Sequence, residues 1–161
     1  MNTQPIVPAL RTILSEMLHG PTANGYLLNH NDPGLIRSLD KLSARSASAI
    51  HGGSASIAAH VDHLRYGFSL MNRWAAGESP YGDADWTVSW RKNVVSDAEW
   101  ATLRADFARE AKRLLDVVAA PREVSEEELN GVIGNLAHLG YHIGAIRQID
   151  RSIRGPAATD Q

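Results

Sequence analysis

Leu136-Ala137-His138-Leu139-Gly140-Tyr141-His142-Ile143 is the stretch whose reading decides the fold. Its apolar residues fall at steps of three and four within a longer run, Val132, Leu136, Leu139 and Ile143, the period of an amphipathic helix. Four-residue spacing puts His138 and His142 one turn apart on one side of that helix, where two ring nitrogens can grip one metal ion. Outward toward the N-terminus, Ser125-Glu126-Glu127-Glu128 is a capping box whose acids suit the positive end of the helix dipole. In the other direction the pattern runs to Arg154, with Gly155-Pro156 as a stop and Arg147, Arg151 and Arg154 near the negative end.

The same logic finds three more long helices upstream. Residues 5 to 18 carry Ile6, Leu10, Ile13, Leu14, Met17 and Leu18 at helical spacing, and His19-Gly20-Pro21 ends them. A second long helix, capped by Ser54 or Ser56, carries Ile57, Val61, Leu64, Phe68 and Met71 and ends near Gly77. A third opens at the capping box Ser96-Asp97-Ala98-Glu99, continues through Trp100, Leu103, Phe107, Ala111, Leu114 and Val118, and closes at Pro121. Between the first two, Thr22 to Asn31 is an ordered loop or a short turn of helix packed on the bundle. Asp32-Pro33-Gly34 then starts a short helix from about 33 to 49, with Asp32 as its cap, broken near Ser43 and ended by His51-Gly52-Gly53. Residues 78 to 95 hold Pro80, Gly82, Trp86 and Trp90 without a sustained period, a connection of the length used for crossovers or functional loops. No strand pattern, internal repeat or low-complexity tract interrupts the scheme. The expected architecture is all-α: a single domain over 1–161, a four-helix bundle with a long crossover between the second and third long helices and a short extra helix between the first and second.

The chain has 161 residues, a formal charge of −2 and no cysteine. That length suits one core without staples, and the missing cysteines exclude a disulfide framework, thiolate ligands and a cysteine nucleophile. Mixed charges create no broad positive field, so nucleic acid is not an expected partner. No segment reaches about 18 uninterrupted apolar residues and no signal-like leader opens the chain, so the expectation is a cytoplasmic protein without a membrane partner.

Seven histidines in 161 residues give about 0.3 chance pairs at any one spacing, so position has to carry the argument. Ile57-Ala58-Ala59-His60-Val61-Asp62-His63-Leu64 supplies a second cluster on a different long helix, and both clusters sit beside an apolar stripe. At 100° per residue His60 lies within that stripe and His63 toward its edge; either can be the third ligand, and geometry slightly favours His60. Trp74 and Tyr141 are candidate lining residues, Arg147 a candidate contact for an anionic substrate, and Asp62 and Asn135 candidate partners fixing an imidazole tautomer. Trp86 and Trp90 either cover the site or pin the connection to the bundle. His19, His30 and His51 fall at breaks between elements. Three histidines would leave a divalent metal an open position, as catalytic sites do; zinc, nickel and ferrous iron all accept such a set.

Ser56-Ile57, then His63-Leu64 on the second long helix, then His138 and His142 with Gly144 and Ile146 behind them, resemble the DinB superfamily of metal-binding bundles over nearly the whole chain. The resemblance implies that the ligand on the second long helix is the histidine six residues after Ile57, namely His63, with His138 and His142 completing the set. His60 then lines the site or serves as an alternative ligand. It also implies a small-molecule substrate and a homodimer. The activity expected is that of a metal-dependent hydrolase or of a transferase using low-molecular-weight thiols of bacteria. The competing class is a non-catalytic, stress-related or structural bundle with a structural metal or none, distinguished by whether the metal keeps a position open to a pocket.

Overall fold

In the computed structural model the described residues are 6–23, 25–52, 55–120, 123–157 and 159. Among them every regular element is a helix: α1 (Ile6–His19), α2 (Gly34–Leu39), α3 (Ala44–Ala47), α4 (Ile57–Ala75), α5 (Asp97–Ala119) and α6 (Glu126–Ile149), with 3₁₀ turns at Val88–Arg91 and Arg151–Ile153. The four long helices are α1, α4, α5 and α6. Each of α1 and α4 packs against both α5 and α6, closing one core from Leu14, Met17, Phe68, Met71, Phe107, Leu114, Leu139 and Ile146 among others. No described helix is long and apolar enough to cross a membrane.

The helix starts follow the cap chemistry. Ser56, Ser96 and Ser125 hold extended backbone angles and accept from the backbone N–H of Ala59, Glu99 and Glu128, satisfying donors that a helix N-terminus leaves orphaned. Ser96 and Glu99 form the reciprocal box. Ser54, Gly53 and Pro121 lie outside the described residues. Gly20, at φ +90, turns the chain out of α1, and its N–H returns to the Glu16 carbonyl.

Several boundaries differ from the sequence reading. The short helix expected over 33–49 does break near Ser43, giving α2 and α3, because Ser43 takes an extended conformation and accepts from the Ser46 N–H; it ends at Ala47, short of 49. Asp32 does not cap α2 in the expected way: one carboxylate oxygen accepts from the Gly34 N–H and from Arg147, both at 2.8 Å. The last helix ends at Ile149 rather than Arg154, since Asp150 leaves helical angles and caps the following 3₁₀ turn through the Ser152 N–H. Residues 26–28 of the connecting loop are held by Glu16, which is buried in α1 and accepts from the backbone N–H groups of Tyr26, Leu27 and Leu28 at 2.6–3.0 Å. Burial alone would raise this carboxyl, but the three N–H donors outweigh it and hold the acid below the usual range.

The segment after α4 is pinned along that helix. The Tyr81 hydroxyl meets the Met71 sulfur, the Asp85 N–H donates to the Tyr66 hydroxyl, Ser89 reaches His63, and Asn93 accepts from the Ser56 N–H. The Trp86 ring lies over α4 at Gly67, where an added Cβ would make ordinary van der Waals contact with it.

Candidate metal centre

α4 and α6 face each other across the histidines. His63 Nε2 stands 3.2 Å from His138 Nε2, which stands 2.9 Å from His142 Nε2. One nitrogen from each of the three rings falls within 4.8 Å of the others. Ligand atoms bonded at 2.0–2.1 Å around a tetrahedral ion lie roughly 3.4 Å apart, so the separations of His138 from His63 and from His142 are within about half an ångström of that spacing. His63 and His142 are buried and His138 half-exposed, which leaves one side of the cluster toward solvent. The donor set fits a divalent ion held by three neutral imidazoles.

Electrostatics keep those rings neutral. His142 is pushed down to about 3, first by burial and then by its neighbours His138, His60 and His63. His63 falls to about 4 for the same reasons, with Asp62 opposing weakly. Burial also lowers His60 and His138. A ring that resists protonation presents its lone pair at neutral pH, the state a metal requires.

The two candidates on α4 take different positions. His63 belongs to the converging trio. His60 stands behind it, its Nδ1 2.8 Å from His142 Nδ1. One of those nitrogens donates and the other accepts; the tautomer that turns the His142 Nε2 lone pair toward the trio is the one in which His142 Nδ1 donates and His60 accepts.

Trp90 covers the cluster. Its ring stacks on His63 with centroids 4.4 Å apart, meets His60 edge-on at 5.3 Å and lies 5.8 Å from His142. Trp86 flanks His63 at 5.6 Å and remains 41% exposed. Both expected roles of these tryptophans are therefore combined, since the rings that reach the histidines also hold the connection against α4. Tyr141 touches the His142 ring edge at 5.1 Å, and its side chain otherwise faces outward.

Other expected neighbours are committed elsewhere. Trp74 packs on Tyr81 and over Gly131, where a Cβ would come within 2.6 Å of its ring. Arg147, a candidate for the helix dipole or for an anionic substrate, is ion-paired with buried Asp32 at 2.8 Å. Asp62 holds Arg65 at 2.7 Å, and the Asn135 amide donates to the Gly131 carbonyl. The partners that do reach ring nitrogens are His60 and Ser89. Nothing in the linear sequence marks Ser89, apart from its place between two tryptophans.

No protein-family model matches this chain, and no curated protein or solved structure matches it either.

Proposed function

We propose that the chain is a metal-dependent enzyme of the DinB type, in which His63, His138 and His142 hold one divalent ion. The observation that carries this reading is the convergence of three Nε2 atoms, two of them on buried and neutral rings, beside a half-exposed edge. A bound zinc, nickel or ferrous ion would supply Lewis acidity, lowering the pKa of a coordinated water to ~7 or ionising a small thiol. The chain's own residues keep the imidazoles unprotonated, exclude water on the Trp90 side, and leave His138 and Tyr141 at the approach for a small-molecule substrate. The reaction class is hydrolysis or transfer to a low-molecular-weight thiol, in a cytoplasmic homodimer.

The crossover bundle belongs to the same proposal. Phe68 stacks on Phe107 and Asn72 bonds Glu110, pairs that ascend together along α4 and α5, as in helices running the same way. The intervening segment meets Met71, Tyr66, His63 and then Ser56, descending α4 as a return connection would.

The test is elemental analysis of protein purified without a metal-affinity tag, followed by titration with zinc after chelator treatment. One ion per chain is expected, and His142→Ala should bring it below a tenth while the helical circular dichroism stays near wild type. Absence of stoichiometric binding, or a fourth protein ligand in the X-ray absorption spectrum of the loaded protein, would overturn the proposal.

A further inference from the structure

The connection between α4 and α5 contributes a group to the centre that neither helix supplies. Ser89, on the 3₁₀ turn Val88–Arg91, is 1% exposed. Its Oγ lies 2.9 Å from His63 Nδ1 and 3.1 Å from the Trp86 carbonyl oxygen. A carbonyl can only accept, so the hydroxyl proton points to Trp86. The Oγ lone pair is then what faces the ring, and His63 Nδ1 has to bring the proton to that contact. A neutral imidazole carries one N–H, so Nε2 is left as a lone pair, directed at His138 and His142.

The geometry points to Ser89 as a positioning residue: through a one-way relay from the Trp86 carbonyl, it locks His63 in the Nδ1–H tautomer and so keeps Nε2 ready to coordinate. The direction of the relay is set by backbone, because Trp86 cannot reverse its carbonyl into a donor. The arrangement differs from that at His142, whose Nδ1 meets another imidazole that can either donate or accept. His138, half-exposed, has no such anchor among the described residues and is the ring free to exchange tautomers with solvent. Of the three nitrogens, His63 Nε2 is therefore preset by the connection.

The inference rests on the metal-centre reading for its purpose, but its first readout needs no metal. Long-range ¹H–¹⁵N correlation spectra of the chelator-treated protein distinguish the two tautomers of a neutral imidazole. Wild type should show His63 as Nδ1–H at pH 7; Ser89→Ala should give a mixture or Nε2–H, with the thermal melt confirming that the fold persists. Zinc competition against a chromophoric chelator should then show weaker binding, on the order of 10- to 100-fold, at an unchanged stoichiometry of one. If Ser89→Ala leaves His63 as Nδ1–H, or leaves zinc affinity unchanged while wild type binds one ion, the positioning role is refuted. If wild type binds no metal yet the substitution changes the tautomer, the relay stands and the metal-centre reading falls.

Discussion

Lowering the pH from 7 to 5 should destabilise the metal-free protein by about 4 kcal/mol, through imidazoles that the fold forbids to charge. In the unfolded chain a histidine titrates near 6.5; in the fold His63 is held near 4 and His142 near 3. Below 6.5 the unfolded state therefore binds more protons, and stability must fall as pH falls. At pH 5, about 1.5 units below the unfolded value, each ring favours unfolding by about 2 kcal/mol at 1.36 kcal/mol per unit, and two rings give the figure stated. His60 and His138, also lowered by burial, act in the same direction. Urea unfolding followed at 222 nm, at pH 7, 6 and 5 with chelator present, should show a midpoint falling by about 2 M, taking a slope near 2 kcal/mol per M. His142→Gln should remove about 2 kcal/mol of the pH dependence. A midpoint that stays level from pH 7 to 5, or a variant as acid-sensitive as wild type, would refute the claim that the cluster is kept neutral by its surroundings.

Three further outcomes follow from the geometry. His60→Ala should retain one zinc per chain but weaken it on the order of 10- to 100-fold in chelator competition, since His142 loses the ring that orients it. His63→Ala, by contrast, should eliminate stoichiometric uptake in the same assay, because it removes one of the three converging nitrogens. Glu16→Gln should cost about 3 kcal/mol in urea unfolding, replacing a charged acceptor of three backbone N–H groups by an amide with one acceptor oxygen. Glu16 is held below its unfolded value, so its contribution is present above pH ~4.3 and lost as pH falls further, and the variant should lose less stability in that range.

Much of the bundle was legible because its signals are local. The steps of three and four in α4, α5 and α6 and the serine caps at positions 56, 96 and 125 each need only a few neighbouring residues. The histidine trio was legible for a related reason: spacing set His138 beside His142, and two amphipathic stripes brought their helix against α4. Whether His60 or His63 joined them was not, since the choice turns on how far each ring reaches across the interface. Residues whose partners lie far off in sequence were misread. Arg147 meets Asp32, which is 115 positions away, and an arginine grouped with Arg151 and Arg154 near a helix end gives no sign of it. Trp74 lies on the expected helix but turns toward the glycine at 131, whose missing side chain makes the seat. Ser89 depends on the path of a connection without periodicity, and periodicity was the instrument of the reading.

The indole of Trp90, stacked at 4.4 Å on one imidazole of the trio, has a spectroscopic consequence. An excited indole that close to an open-shell cation loses its energy before it can emit. Loading with nickel or copper would therefore dim the intrinsic fluorescence of the chain, whereas zinc, with its filled d shell, would shift the emission without extinguishing it. The residue that roofs the histidines thus supplies a built-in dye for counting occupied chains.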